Sequence, residues 1–145
     1  VIIIVHGEPA PQGSKSFKGY RGGKAILVES SKKLKPWREA IVIAAKEVMS
    51  IQSLNKPGFS GPVVVSVEFY RDKPKSAKKK VWPDTKPDID KLVRAVLDAL
   101  TIAEVIKDDS LVVDLRALKY WVGKTQSWSG LKGPGAVISI RSACL

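Results

Sequence analysis

Apolar and polar positions divide the chain into segments of two periods. Val1–Val5 is an unbroken apolar run, too short for a helix and closed by His6-Gly7, which predicts a buried strand. Gly7 to Ser14 holds two glycines and two prolines and reads as loop. Lys24–Glu29 reads as a second strand. Leu34, Trp37, Ile41, Ala44, Ala45 and Val48 then recur at helical spacing. Pro36, tolerated only in a first turn, places this core-facing helix near 34–50. From Pro62 to Arg71 the period drops to two, with Val63, Val65, Val67 and Phe69 on one side and Ser66, Glu68 and Tyr70 on the other.

No period survives in residues 71–87. Arg71, Lys73, Lys75, Lys78, Lys79 and Lys80 are interrupted by Pro74 and followed by Trp82-Pro83, which reads as a mobile basic loop. The next stretch is the clearest helix of the chain. Ile89, Leu92, Val93, Val96, Leu97 and Leu100 form one stripe, while Lys91, Arg94 and Asp98 face away. A strand is expected from about Leu111 to Val122, with Leu111, Val113, Leu115 and Ala117 on its buried side. A loop over 125–135 and a short strand over Ala136–Arg141 complete the chain. No repeat or second domain is visible. Mixed strands with two main helices imply an α/β (α+β) fold, a single compact domain in which a mixed β-sheet packs against two helices.

Composition narrows the class. With 145 residues and 44% hydrophobic side chains, one real core is expected. No stretch reaches the roughly 18 apolar residues of a membrane span, and an intracellular (cytoplasmic) protein is expected. Cys144 is the lone cysteine and His6 the lone histidine, which excludes an internal disulfide and a multi-cysteine or histidine-centred metal site. The net charge of +11 favours a polyanionic partner. It is unevenly spread: residues 1–87 hold 17 basic and 7 acidic groups, whereas residues 88–145 hold 8 and 7, all seven acids between Asp88 and Asp114.

That acidic focus contains two pairs, Asp88 with Asp90 at the start of the second helix, and Asp108 with Asp109 before the following strand. Phosphodiester hydrolysis needs an activated water and a place for charge on the leaving oxygen. Magnesium supplies both and takes hard oxygen ligands, typically a few carboxylates with water. A helix over 88–100 is about 18 Å long, and nine further residues span up to about 30 Å. The chain is therefore long enough to run back along the helix and set Asp109 beside Asp88 and Asp90, with Arg94 bordering them. Each element also has a plainer account: helix-opening aspartates suit the macrodipole and capping, Asp108-Asp109 suits a turn, and Arg94 suits an i, i+4 pair with Asp90.

Taken together, Lys86-Pro87-Asp88-Ile89-Asp90-Lys91-Leu92-Val93-Arg94 and Val105-Ile106-Lys107-Asp108-Asp109-Ser110-Leu111 resemble the signature of the RusA family of Holliday junction resolvases. Gly7-Glu8-Pro9-Ala10-Pro11-Gln12-Gly13-Ser14-Lys15 resembles the Pro-rich first loop of its phage and prophage members. The resemblance implies a crossover junction endodeoxyribonuclease with Asp88, Asp90 and Asp109 as Mg2+ ligands and Asp108 beside them. It implies a homodimer that nicks opposed strands of four-way junctions. Two departures stand out. Arg94 lies where the family has a catalytic lysine; it keeps the charge but cannot readily lose a proton, so it suits phosphate contact and not base catalysis. Lys91 lies where the family commonly has asparagine. Lys119 resembles a basic residue on the strand after the double aspartate. Lys73, Lys75, Lys78, Lys79, Lys80, Lys91 and Lys119 are the expected DNA-binding residues.

Two other readings share these features. One is a non-catalytic basic DNA-binding module whose acids are caps and turns, and the other a general phage nuclease acting on forks or flaps. His6 reads as a strand-end residue and Tyr70 as a cross-strand packing residue. Trp82 and Trp128, in loops, read as packing residues, with stacking on unpaired bases as the alternative.

Overall fold

The computed structural model describes residues 1–13, 15–29, 32–53, 57–123 and 129–144. The alternating segment becomes β4 (Val63–Arg71), and Val63, Val65, Val67 and Phe69 are wholly buried. β4 pairs antiparallel with β6 (Gly135–Ser142) on one side and parallel with β5 (Val112–Trp121) on the other. β1 (Ile2–His6) adds antiparallel outside β6, giving the order β1-β6-β4-β5. The sheet is mixed, as the sequence implied.

Two helices, α1 (Leu34–Ser53) and α2 (Ile89–Ile102), cover the face carrying Val63 and Phe69. Their periodic positions do the covering: Leu34, Trp37, Ile41 and Ala45 from α1; Leu92, Val93, Val96 and Leu100 from α2. Ala95 and Ala99 are also buried, and these small side chains extend the contact surface of α2. Each large aliphatic chain buried here contributes about 1.5–3 kcal/mol. The opposite face carries a smaller cluster, in which Tyr70 is wholly buried and stacks on its β5 neighbour Tyr120 at 5.5 Å. Tyr70 is thus a cross-strand packing residue, and His6 ends its strand.

One element was not foreseen, and two expectations need correction. The chain from Lys15 to Arg21 is strand β2, paired with β3 (Lys24–Glu29) in a separate hairpin. Its alternation is broken by Gly19 and a register shift between Phe17 and Tyr20, so no period was visible. Val113 and Leu115 are not buried; they are 63% and 44% exposed. β5 is an edge strand, and Val113 is the extra residue where the register shifts from Val63↔Val112 to Val64↔Asp114. Residues 71–87 are a tethered excursion: Lys75–Ala77 form one turn of 3-10 helix, and Arg71 and Lys119 bind the carbonyls of Lys86, Thr85 and Pro87. No described helix is long and apolar enough to cross a membrane.

The core assignment gives a direct contrast. Leu100→Ala should cost about 2–5 kcal/mol by transfer and cavity terms. Ile102→Ala, at a position 55% exposed, should change stability by about 0.5 kcal/mol or less. Urea unfolding midpoints at unchanged slope measure both.

Candidate active site

Parallel neighbours cannot be joined by a tight turn; they need a crossover, and its helix runs opposite to both strands. α2 is that crossover between β4 and β5. Its first residues therefore lie at the carboxyl ends of β4 and β5, and its last residues at their amino ends. The hydrogen bonds agree. Lys119, late in β5, donates from Nζ to the carbonyls of Thr85 (2.8 Å) and Pro87 (3.0 Å). Arg71, the last residue of β4, donates to the Lys86 carbonyl at 2.9 Å. Asp88 is delivered to the end of the sheet by these three bonds.

Asp88 occupies the N-cap position, its backbone extended at φ −68°, ψ 140°, and its carbonyl accepts from the Leu92 N–H at 3.1 Å. Its carboxylate takes no capping hydrogen bond. It is half exposed and faces the Lys91 ammonium at 3.6 Å. Capping thus does not account for this aspartate. Asp90, in the first turn, is also exposed.

The first loop closes one side of the site. The Gln12 N–H donates to the Lys91 carbonyl at 3.0 Å. The Gln12 side-chain amide donates to Asp98 and accepts from Arg38 at 3.1 Å. Gly13, at φ +115°, lies under the Arg94 guanidinium; a Cβ there would stand 2.5 Å from its nitrogen. Arg94 lies over this loop one turn beyond Asp90, and among the described residues it forms no ion pair with Asp90.

Between loop and helix opens a cleft of about 350 Å³, lined by Glu8, Lys33, Arg71, Lys86, Asp88 and Lys91 among others. Four cations and two carboxylates face it, with Glu8 held by Lys33 at 2.8 Å. The balance suits a phosphate anion beside a carboxylate. Glu8, Gln12, Arg71 and Lys86 were not foreseen as site residues. The loop motif contained Glu8 and Gln12, but nothing in sequence spacing brings Arg71 to Lys86.

The other residues fall elsewhere. Asp108 accepts from the Ser110 N–H at 2.7 Å and caps a one-turn 3-10 helix, Asp109–Leu111. Hydrogen bonding from Ser110, its side chain first and then its backbone N–H, holds the Asp108 carboxyl below the usual aspartate value, which makes Asp108 a turn residue. Asp109 is exposed at the amino end of β5. The 101–109 segment does not run back along the helix. It turns at Glu104 (φ 60°), and Phe59 brackets it by donating to the Val105 carbonyl at 2.8 Å and accepting from the Lys107 N–H at 3.1 Å. α2 has 14 residues, so Asp109 stands about 20 Å from Asp88 in the same chain. The expected close approach within one chain fails because the flanking strands are parallel. Among the described residues, no three His, Cys, Asp or Glu groups are arranged to hold a metal.

Lys73, Lys75, Lys78 and Lys79 are exposed, whereas Lys80 pairs with Asp84 at 2.7 Å and lowers that carboxyl's pKa. Lys119 is kept below the usual lysine value, first by burial and then by the Arg71 charge, with Asp88 and Asp84 opposing. Its ammonium is committed to backbone carbonyls, so it positions the turn before α2. Trp82, 55% exposed, lies against Tyr120 at 5.6 Å, which makes it a packing residue with one open face. Trp128 lies outside the described residues.

The cleft at the end of this β-α-β crossover sets four cations beside the half-exposed Asp88 carboxylate, an arrangement that can hold a phosphate anion. Comparison with known proteins names its class. The family model described as Endodeoxyribonuclease RusA matches residues 6–139, and the chain belongs to that endodeoxyribonuclease family. It is also similar to the Bacillus subtilis (strain 168) protein called "Uncharacterized protein YqaN", 35% identical over 132 residues that cover 83% of this chain and 87% of that protein.

Lys119→Met should loosen the turn before α2 at a cost of about 1–2 kcal/mol, since it removes hydrogen bonds from a charged donor and leaves two carbonyls unpaired. Gly13→Ala should displace Arg94 and strain the loop at its positive φ. Thermal unfolding reports the first, and amide exchange of Gln12 and Arg94 the second.

Proposed function

We propose that this chain is a magnesium-dependent endonuclease that hydrolyses phosphodiesters in branched DNA, four-way junctions included, as a homodimer. The observation that carries the reading is Asp88: a helix-opening carboxylate left out of the helix cap, at the mouth of a cationic cleft, in a chain of an endodeoxyribonuclease family. Asp88 and Asp90 are hard oxygen donors with open faces, which fits an ion that takes one or two carboxylates and keeps several waters. When bound, magnesium supplies an activated water and neutralises the leaving oxygen.

The protein's own groups do the rest. Lys86, Lys91 and Arg71 offset the phosphate charge that two carboxylates would repel. Arg94, permanently protonated, contacts phosphate without acting as a base. Lys119 and Arg71 hold the 85–88 turn, which fixes Asp88 before DNA arrives. Lys73, Lys75, Lys78 and Lys79 extend the basic surface from the cleft toward a duplex arm.

Asp109 joins the site from a second copy. A twofold axis beside β5 reverses the partner's direction and sets its Asp109 end against the Asp88 end of the first chain. β5 favours such an axis because among the described strands it lies at the sheet edge, and Val113 and Leu115 are exposed on it. Two sites per dimer then suit two nicks on opposed strands.

Asp88→Asn should abolish magnesium-dependent nicking of a synthetic four-way junction while junction affinity holds or rises slightly. Nicking at wild-type rate would make Asp88 structural and favour a binding module. Asp88→Asn and Asp109→Asn should each be inactive alone, yet regain about a quarter of wild-type sites after mixing and subunit exchange, because half the dimers are mixed and each mixed dimer holds one intact site. No recovery, with exchange verified, would place each site within one chain. Replacing Lys78 and Lys79 by alanine should lower the salt slope of duplex binding by about 0.9 per lost phosphate contact.

A further inference from the structure

Among the described side chains of the β2–β3 hairpin, residues 17–26, none belongs to either hydrophobic cluster. Its turn, Gly22-Gly23, has positive φ at both positions (59° and 76°) between the paired Arg21 and Lys24, the two-residue geometry that matches strand twist. Two strands alone are marginally stable in water, and the described side chains of this ribbon face solvent.

Its side chains point to a use. Phe17 is 56% exposed and Tyr20 75% exposed. Residues three apart on a regular strand face opposite sides. Here the register shift between Phe17 and Tyr20, which gives β2 one extra residue and includes Gly19 at φ +103°, returns both rings to one side. The rings meet edge to face, 5.3 Å apart at 73°. The shift thus builds an open aromatic platform.

The surrounding charge selects the partner. Residues 17–26 carry Lys18, Arg21 and Lys24 and no acid. A second copy would bring the same three cations and repel. A polyanion with accessible π-faces is attracted by both features, and base–aromatic stacking is available to any base. Inside a duplex those faces are covered by neighbouring bases; they open where stacking is interrupted.

We propose that the Phe17–Tyr20 platform stacks on bases uncovered at the branch point of DNA and so sets the preference for branched over continuous duplex. This rests on the branched-DNA reading above. The hairpin follows loop 7–13, whose Gln12 is bonded to Lys91 and whose Gly13 lies under Arg94. Phe17 is four residues further on, within about 14 Å of Gly13. The base that stacks is therefore a few nucleotides from the phosphate in the cleft.

The test uses the full-length protein in EDTA, so that DNA stays intact, with a four-way junction carrying 2-aminopurine at the crossover and a continuous duplex of equal length. The wild-type protein should bind the junction more tightly and quench the probe. Phe17→Leu with Tyr20→Leu, which keeps apolar bulk without the π-face, should weaken junction binding by about tenfold or more, leave duplex binding within about twofold, and remove the quenching. Phe17→Trp with Tyr20→Trp should restore both. Circular dichroism and sedimentation confirm that fold and assembly are unchanged in each variant. Equal loss on both DNAs would overturn the proposal in favour of a groove contact, and unchanged binding with quenching retained would remove the hairpin from recognition. A wild-type protein with no preference for the junction would instead overturn the branched-substrate reading, whatever the variants do.

Discussion

The parallel pairing of β4 with β5 is the constraint from which the functional end of the molecule follows. Parallel neighbours require a crossover, and α2 is the crossover available between them. Its direction opposes both strands, so whatever opens the helix gathers at the carboxyl ends and whatever precedes β5 gathers at the amino end. Asp88, Lys119, Arg71 and Lys86 meet for this reason, and Asp109 is kept away for the same one.

The site is also an arrangement of excess charge. Cations outnumber acids in this chain, and an aspartate is easily consumed by a surface ion pair. Here two of the nearest cations are turned onto backbone: Lys119 to Thr85 and Pro87, and Arg71 to Lys86. They fix the turn while the Asp88 carboxylate stays half exposed, with the Lys91 ammonium at a loose 3.6 Å. Across the cleft, Glu8 is held by Lys33 and Gln12 links α1 to α2 through Arg38 and Asp98. The first loop is thereby tied to the crossover helix, and the hairpin follows this loop in the chain.

Repetition made much of the fold legible in the sequence. Val63 to Phe69 alternates, Leu92 to Leu100 repeats at helical spacing, and burial of one face imposes each pattern directly. The β2 strand escaped because its one extra residue and Gly19 break alternation. The exposure of Val113 and Leu115 escaped because hydrophobicity does not say whether a strand lies inside a sheet or at its edge.

The sequence by itself determined most of the elements, the basic character, and the helix-opening Asp88-Ile89-Asp90 and double aspartate on which the resemblance to the endodeoxyribonuclease family rests. Those depend on local periodicity and residue chemistry, which a chain carries in order. Only the tertiary structure decided which groups meet. Nineteen to twenty-one positions separate Asp109 from Asp90 and Asp88, and chain length permits either contact or separation. The choice falls to strand direction, a property of how β4 and β5 share hydrogen bonds, and no spacing of residues along the chain records it.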